Sequence, residues 1–449
     1  MEKKTGMHLY IAIRNFNQII LDEEGQTGKV THALHALDTF FSSIESFGKA
    51  LSDKIVVEKI TGSRLHLYIV DGLLPAFQTV KAVSVYAYRL AQCINNEIPK
   101  YKTLKDFIIN IGIAFGEFFN FEFTTKEGFS EPTTIGYPAN LAAKLQALSG
   151  YNMLSIPENI YDELPFSDRD LFQKIEEPSL EKYDQQKFYM VHLPLLTTPA
   201  VIDMTAAKSY ASSDNLGDIE FTDVRKPLNF TRLNRTQCKK LDGITMFADI
   251  RGFTAQFEED GSNLDEMAEK TQQILETMYQ ASVNHGGIHI QFQGDRELTL
   301  FHNIPKQMIN GILEPEQKCF KAAVLTSMRI VDNVKPYSVH VGVGEEFGRL
   351  FATKIGAHGE KDNILLGETI ITADLMEDKN AGEDQIAITT TVYNGLKSED
   401  SNLASYFKKE GNHYIATIGY QQYLREASYR QQQANTAKQN YNGAWGDEK

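Results

Sequence analysis

The sequence predicts an α+β protein of two similar domains in tandem, because short motifs recur at nearly constant spacing along its 449 residues. Gly62 and Gly294 are separated by the same number of residues as Gly116 and Gly348. Each copy also reads as strand, helix, hairpin, helix, hairpin, helix and late strands, which is typical of a sheet with flanking helices. We therefore expect two copies of one mixed or antiparallel sheet domain, each long enough to bury its own core.

Each copy is predicted to begin with a short apolar strand followed by a polar turn. Residues 8–17 and 245–254 share the frame apolar-x-Ile-Arg-x-Phe. A helix-period segment follows in both copies. The repeat therefore starts near the N-terminus of the chain and again near residue 245.

The second copy shows its next elements most clearly. Apolar residues recur at helical spacing from Leu264 to Met278, and the pair at 286–287, Gly-Gly, is expected to end that helix. Residues 288–301 alternate like two strands around a Gly-Asp turn, which predicts a β-hairpin.

The expected domain boundaries follow from the composition. The first domain is predicted over 1–195 and the second over 241–425. Residues 196–240 are rich in Thr, Ser, Asp, Asn and Pro and are expected to form a linker. Residues 426–449 are expected to form a polar, disordered tail.

The charge balance restricts the class of partner. With 45 Lys+Arg and 59 Asp+Glu the net charge is −14, which argues against nucleic-acid binding because phosphate neutralisation needs a basic surface. No run approaches the roughly 18 apolar residues of a membrane span. Three distant cysteines form neither a disulfide framework nor a metal-binding pattern. We expect a cytoplasmic protein that binds neither nucleic acid nor membrane.

Two aspartates of the second copy stand where a metal site needs them. Asp249 ends the strand 244–248, and Asp295 lies on the turn of the predicted hairpin. If the hairpin lies beside that strand, the two carboxylates can share divalent ions together with substrate phosphates. The turn at 250–254 is expected to open a helix whose free N–H groups suit phosphate oxygens.

These segments resemble the class III nucleotide cyclases, the adenylate and guanylate cyclase family. Residues 247–254, Phe-Ala-Asp-Ile-Arg-Gly-Phe-Thr, match the first metal motif of that family, and 293–295, Gln-Gly-Asp, match the second. Residues 348–349, Gly-Arg, match the site of a triphosphate-binding arginine. The resemblance implies two cyclase domains paired head to tail, with the active site at their interface, that form a 3′,5′-cyclic nucleotide and pyrophosphate from a nucleoside triphosphate.

The resemblance implies that the second copy supplies the metal half of this site. Asp249, Asp295 and the carbonyl of Ile250 would hold two divalent ions, Mn²⁺ or Mg²⁺. Further substrate contacts are implied for residues of the following turn and a later strand: Arg251, Gly252, Phe253 and Arg349.

The first copy would supply the complementary half. The resemblance implies that Lys59 and Thr133 read the base and that Asn140 orients the ribose. Lys144 stands where the family has an arginine for transition-state charge, and it loses the bidentate geometry of arginine. A phosphate-binding lysine is implied later in the domain, at Lys182 or Lys187.

Each copy lacks the half that the other retains. The first copy has Ala12, Ser63 and Glu117 where the second has Asp249, Asp295 and Arg349. The second copy has non-matching residues at the base, ribose and charge positions: Gln291, Ile364, Ile371 and Leu375. We therefore expect one competent composite site and one inactive one.

The identity of the base stays open between alternatives. The stand-alone tandem architecture and the motif Gln-Phe-Gln-Gly-Asp-Arg are similar to the pyrimidine nucleotide cyclases of bacterial antiphage defence, which favours CTP, then UTP. Lys59 and Thr133 taken alone favour ATP, because the adenylate cyclases of the family often use Lys with Asp or Thr. An adenylate cyclase is therefore one alternative, and a catalytically inactive nucleotide-binding sensor is another. A cyclase of this kind implies a downstream effector that binds the cyclic nucleotide. A monomer with intramolecular pairing or a homodimer would complete the site.

Overall fold

The computed structural model describes residues 2–125, 128–183, 187–213, 219–233, 237–252, 264–309, 312–356 and 362–444. Its strands and helices are numbered below in chain order. Two large sheets organise the chain, one for each copy of the repeat.

The first sheet is built from residues between Glu2 and His192. Its strands are β1 (Glu2–Ile13), β2 (Ile55–Thr61), β3 (Arg64–Ile69), β4 (Ile109–Thr124), β5 (Ser130–Ile135), β6 (Met153–Pro157), β7 (Gln173–Glu176) and β8 (Lys187–His192). Its helices are α1 (Phe16–Thr27), α2 (Thr31–Leu51), α3 (Leu73–Asn96), α4 (Tyr137–Leu148), α5 (Glu158–Glu163) and α6 (Phe166–Arg169). The strand order is β2-β3-β1-β4-β6-β8-β7, with β5 paired to β4.

The described residues of the segment between the two sheets include regular elements. It contains α7 (Thr205–Ser212), β9 (Glu220–Asp223) and a 3₁₀ turn (Phe230–Arg232). Helix α7 docks on the first domain, where the Tyr210 hydroxyl donates to Asp38 at 2.8 Å. This segment was predicted as a linker, and the structure gives it regular elements that attach to both domains.

The second sheet repeats the strand order of the first and has one more strand, because β9 pairs in parallel with β10. Its strands are β10 (Gln237–Arg251), β11 (Ile288–Gln293), β12 (Arg296–His302), β15 (His340–Ile355), β16 (Asp362–Leu366), β17 (Gln385–Thr389), β18 (Lys408–Glu410) and β19 (His413–Ala416), with a separate small hairpin of β13 (Gln307–Ile309) and β14 (Ile312–Glu314). Its helices are α8 (Leu264–Val283), α9 (Phe320–Val334), α10 (Glu368–Leu375), α11 (Thr390–Glu399), α12 (Ser401–Ala404) and α13 (Tyr420–Ala444), and a π-helical turn (Met376–Asn380) follows α10. The order β11-β12-β10-β15-β17-β19-β18, with β16 beside β15, confirms the predicted α+β repeat.

The register of the two sheets aligns the copies residue by residue. Ala12 lies opposite Arg64 in the first sheet, and Asp249 lies opposite Arg296 in the second. In each domain the hairpin turn just before this arginine contains a glycine with positive φ, +57° at Gly62 and +70° at Gly294. Glycine is favoured in this conformation.

The prediction of a disordered tail over 426–449 is partly wrong. Helix α13 starts at Tyr420, inside the expected second domain, and continues to Ala444. Its first turns are anchored, because the Arg329 guanidinium stacks on the Tyr420 ring at 3.9 Å and the Tyr406 hydroxyl donates to Glu426 at 2.7 Å. Polar composition alone did not reveal these anchors.

Among the described residues, none of the helices combines the length and apolar character that a bilayer crossing requires.

The carboxyl of Glu345 is buried in the core of the second domain and has one hydrogen-bond partner among the described residues. The Ser327 hydroxyl donates to Glu345 at 2.5 Å, and the second oxygen of this carboxyl is buried without a hydrogen-bond partner among the described residues. Burial raises the pKa of Glu345 to about 7.

This carboxyl is expected to make stability depend on pH. Because its pKa is higher in the folded state than the ordinary 4.5, its favourable contribution is complete below pH 4.5 and is lost as pH rises through about 7. Glu345→Gln should gain on the order of 3 kcal/mol relative to wild type between pH 5 and pH 8. Denaturant unfolding of both proteins at the two pH values measures this. An equal difference at both would contradict it.

Candidate active site

The two predicted metal aspartates lie at the same end of the second sheet. Asp249 is the third residue from the end of β10, and the pairing of β10 with β12 places it opposite Arg296. Asp295 is the residue immediately before Arg296, on the tight turn that joins β11 and β12. The carboxyl of Asp295 is buried, and that of Asp249 is about a quarter exposed.

Arg251 binds the acidic residues of its own domain. Its Nη1 lies 3.1 Å from Oδ2 of Asp249 and 2.5 Å from Oε1 of Glu377. Its Nη2 donates to the carbonyls of Glu377 and Ala381, both at 2.8 Å. A Cβ at Gly342 would overlap this guanidinium, so the glycine makes room for it. The structure thus places Arg251 in contact with Asp249, one of the two predicted metal ligands.

Two further acidic residues, missed by the sequence analysis, complete this cluster. Arg296 Nη2 lies 2.6 Å from Asp374 and 2.7 Å from Glu377, and its guanidinium stacks on Phe247 at 3.9 Å. Asp374 also reaches Arg64 of the first domain at 3.5 Å. The signal available in the sequence was that Asp374 and Glu377 are three residues apart at the end of a helical pattern. This signal carries little weight alone.

Burial dominates the electrostatics of this cluster. It raises the pKa of Asp295 to about 7; the neighbouring Glu377 adds to the rise, and Arg296 and Arg251 oppose it. Burial likewise raises the pKa of Glu377 to about 7, against the pull of Arg296. The two neighbouring arginines therefore do not fully offset the effect of burial on the Asp295 and Glu377 carboxyls.

The residues present fit a hard divalent cation. The donors are carboxylate oxygens of Asp249 and Asp295 and the backbone carbonyl of Ile250, the ligand type that Mg²⁺ and Mn²⁺ prefer. A cation here would favour the ionised form of Asp295, which burial disfavours. Arg251 would then keep its bonds to Glu377 and two carbonyls after releasing Asp249.

The turn after β10 is partly described. Gly252 has φ +68° and ends the strand. Phe253 lies outside the described residues, as does the predicted helix start.

The predicted base-reading residues of the first domain contact the turn that carries Asp295. Thr133 Oγ1 accepts a hydrogen bond from the backbone N–H of Gly294 at 2.9 Å. The ammonium of Lys59 donates to the carbonyl of Phe292, on the same hairpin. Both first-domain side chains are buried. The structure therefore brings Lys59 and Thr133, the predicted base-reading pair, against the hairpin that carries Asp295 across the domain interface.

A glutamate that the sequence analysis did not single out holds Lys59. Glu131 Oε1 lies 3.0 Å from the lysine Nζ and accepts the N–H of Phe292 at 2.8 Å. Its Oε2 is 3.1 Å from Nε2 of His289 in the second domain. Glu131 lies on β5 two residues before Thr133, so the strand carries the pair on one face.

The helix α4 carries the predicted ribose and charge residues. Asn140 and Lys144 are four residues apart and so share one face. Lys144 Nζ lies 3.6 Å from Oδ2 of Asp378, on the π-helical turn of the second domain. Asn140 is half-buried. Helix α4 thus faces the second domain, as the composite-site prediction requires.

The predicted phosphate lysines are less well placed. Lys187 begins β8 and forms an ion pair with Glu158 of its own domain. Lys182 lies in the 3₁₀ turn Pro178–Tyr183, and its side chain is outside the described part of the chain.

Arg349 lies away from the aspartates. It is opposite Asp242 on β10 and donates to it at 2.7 Å, whereas Asp249 is opposite Gly342. Seven residues of strand separate the two positions, roughly 23 Å at about 3.3 Å per residue. Arg349 lines a cavity of about 380 Å³ at that far end instead. The dipeptide motif suggested a phosphate contact that this register does not provide.

The second composite position lacks both halves. In the first domain Ala12 and Ser63 replace the aspartates, as the register shows. In the second domain Gln291 donates to Thr61 Oγ1 at 2.5 Å, and Ile371 and Leu375 are 46% and 48% exposed.

One other cluster in the described residues carries metal-ligand types. His8, Glu58 and His66 lie close together in the first sheet. Their atoms bond one another, with His8 Nδ1 2.9 Å from His66 Nε2 and His66 Nδ1 2.9 Å from Glu58. Glu58 also accepts from the N–H and hydroxyl of Thr134, at 2.8 and 2.6 Å. The cluster is a hydrogen-bonded chain that braces β5 against β2.

Comparison with solved structures identifies the fold. The whole chain superposes on a class III adenylyl cyclase-like ATP-binding protein from Pseudomonas aeruginosa with a TM-score of 0.68, covering 94% of this chain and 90% of that one at 15% identity. The chain has a tandem class III cyclase fold. The adenylyl cyclase CyaB from P. aeruginosa matches 40% of this cyclase-fold chain and 93% of its own length, at 18% identity and a TM-score of 0.32.

A dimeric guanylyl cyclase domain of the RhoGC fusion protein from the fungus Blastocladiella emersonii gives similar values, covering 40% of this chain and 95% of that one at 18% identity and a TM-score of 0.31. No model of a known protein family matches the tandem cyclase-fold chain, and a search of curated proteins finds no relative.

Proposed function

We propose that the protein is a nucleotide cyclase with one composite site, formed by the second domain's aspartates and the first domain's base-reading residues. The observation that carries the proposal is the contact between the two halves. The turn bearing Asp295 donates its Gly294 N–H to Thr133, and Lys59 reaches the same hairpin. Residues that the family resemblance assigns to one substrate thus meet across the interface.

The chemistry would be an intramolecular displacement. The ribose 3′-oxygen bonds to the α-phosphorus, the bond to the bridging oxygen of pyrophosphate breaks, and the hydroxyl proton leaves to solvent. Asp249, Asp295 and the carbonyl of Ile250 would hold the divalent ions. Bound Mn²⁺ or Mg²⁺ supplies charge stabilisation and lowers the pKa of the 3′-hydroxyl.

The first-domain helix α4 and its neighbours orient and stabilise. Asn140 positions the ribose, which contributes by holding the reacting atoms in geometry. Lys144 supplies positive charge to the phosphates in the transition state. Of the two later lysines proposed for the triphosphate, Lys187 would have to release Glu158. Lys182 is kept as the other candidate on the family resemblance alone. Arg349 is left out of the proposed site because of its distance.

We propose a pyrimidine triphosphate as the substrate, CTP before UTP. Lys59 offers only N–H donors. The Thr133 hydroxyl accepts the Gly294 N–H with one lone pair and keeps its hydrogen and a second lone pair. By donating, it would join Lys59 in binding the neighbouring O2 and N3 acceptors of cytosine, and by accepting it would suit the amine of adenine. The preference for a pyrimidine therefore rests on the resemblance of the tandem architecture and of the motif at 291–296. The product would be a second messenger in antiphage defence, read by an effector that binds cyclic nucleotides.

Binding of ATP without turnover is a second candidate, and two observations favour it. A solved structure that matches 94% of the chain is that of a class III adenylyl cyclase-like ATP-binding protein. In this chain Arg251 also occupies a carboxylate oxygen of Asp249. An adenylate cyclase is the corresponding catalytic alternative.

Product identity tests the proposal. Purified protein is incubated with Mn²⁺ and each of ATP, GTP, CTP and UTP, and the products are resolved by mass spectrometry. We expect cyclic CMP as the main product, with cyclic UMP second. Cyclic AMP would return the protein to the adenylate class. Retention of bound ATP with no cyclic product would support the binding-only candidate.

A further inference from the structure

A chain of four alternating charges crosses the domain interface beside the base-reading residues. Lys59 and Glu131 belong to the first domain, and His289 and Glu297 belong to the second. Successive charged atoms are 3.0, 3.1 and 3.0 Å apart. The most exposed of the four side chains, Glu131, is only 13% exposed, so the chain is shielded from water.

His289 is fixed in this chain from both ends. Its Nε2 faces Glu131 and its Nδ1 faces Glu297, so the doubly protonated ring donates to both carboxylates. Burial lowers the pKa of His289, but the bonds to the two carboxylates outweigh it and raise the pKa to about 9. The rings of Tyr279 and Phe292 pack against the imidazole with centroids at 5.1 and 4.6 Å.

This arrangement fixes the ammonium of Lys59. Two of its three N–H groups are engaged, by Glu131 Oε1 and by the carbonyl of Phe292. Within the described part of the chain, this leaves one N–H of Lys59 to donate to a base. Because His289 holds the other oxygen of Glu131, the carboxylate cannot rotate without breaking a bond to the second domain.

The positions that match this chain in the repeat lie beside it and are paired differently. There Asp362, which matches Glu131 in the repeat, accepts the backbone N–H of Ile60 at 2.6 Å. Gln291, which matches Lys59, donates to a threonine hydroxyl. The donors at these matching positions are neutral groups, although ion pairs such as Arg64–Asp374 also join the two domains. The chain of four buried charges is found where the proposed base-reading pair lies.

We propose that His289 is a positioning residue that acts through Glu131 on Lys59, so that base recognition by the first domain depends on a side chain of the second. This inference rests on the proposed function for the role of Lys59. A residue of the metal-bearing domain would then influence which base is bound without touching it.

A double-mutant cycle tests this coupling. Affinity for 3′-deoxy-CTP, which cannot cyclise, is measured by equilibrium binding with Mn²⁺ for wild type, His289→Gln, Lys59→Gln and the double variant. Each single variant should weaken binding by on the order of tenfold. If His289 acts through Lys59, the double variant should be no weaker than Lys59→Gln alone. Independent, multiplying losses would overturn the proposal.

A matched control separates positioning from general destabilisation. The Lys81–Asp168 pair of the first domain is similarly buried, with side chains 8% and 16% exposed and N···O of 3.1 Å. Asp168→Asn should lower stability and leave nucleotide affinity unchanged. An equal loss of affinity in this control would assign the effect of His289 to folding.

A readout without nucleotide keeps the inference apart from the proposed function. Reductive methylation of Lys59, followed by mass spectrometry, should be several-fold faster in His289→Gln than in wild type, and unchanged in Asp168→Asn. If wild type binds no nucleotide, the proposed function fails, and the labelling result alone decides the positioning role. Unchanged labelling in His289→Gln would overturn it.

Discussion

Asp295→Ala is expected to reduce the rate of cyclic nucleotide formation by on the order of 10²–10³-fold or more, with the fold unchanged. Asp295 is one of two proposed metal carboxylates, and it lies on the turn that touches Thr133. Its removal would leave the divalent ions with Asp249 and a carbonyl. Asp249→Ala should cause a loss of similar size. The measurement is the rate of product formation at saturating Mn²⁺ and CTP.

Ser63→Ala is the matched control, because Ser63 holds the same place on the first-domain hairpin. It should leave the rate within about twofold of wild type. The composite account would be wrong if both aspartate variants kept wild-type rates. Equal losses from Ser63→Ala and Asp295→Ala would point to two equivalent sites.

Glu131→Ala is expected to lower the free energy of unfolding by about 3–5 kcal/mol, because it leaves two buried cations without their shared carboxylate. Lys59 and His289 would then face each other across the interface at low solvent exposure. Burial acts to raise the pKa of the Glu131 carboxyl, but the positive charges of Lys59 and His289 hold this pKa below its ordinary value. Urea unfolding, analysed for domain-wise transitions, measures the loss.

Glu122→Ala provides the comparison for this stability effect. Glu122 lies on the neighbouring strand β4, is exposed, and accepts a hydrogen bond from the Ser130 hydroxyl at 2.5 Å. Its loss should cost less than about 0.5 kcal/mol. Similar small costs for both variants would show that the charged chain contributes little to docking.

The fold was predictable because the same sequence pattern occurs in both domains. The glycine turns at Gly62 and Gly294 and the strand endings at Ala12 and Asp249 define one register, and both sheets obey it. Two independent readings of one pattern reduce the ambiguity that a single short apolar run leaves.

The surroundings of the proposed site were not predictable in the same way. Glu131, His289 and Glu377 are buried charges whose meaning depends on which partner lies across a strand or domain boundary. Sequence spacing does not encode such contacts. A short match without a register constraint also misled the placement of Arg349, which the pairing with Asp242 sets at the far end of β10.

The central claim is that one chain forms one nucleotide site from two unequal domains. Its most direct test is the stoichiometry of 3′-deoxy-CTP bound to purified protein in the presence of Mn²⁺, measured by isothermal titration calorimetry at known protein concentration. The account predicts one nucleotide per chain, bound more weakly in Asp295→Ala and with unchanged affinity in Ser63→Ala. Two nucleotides per chain, or an unchanged affinity in Asp295→Ala, would contradict it.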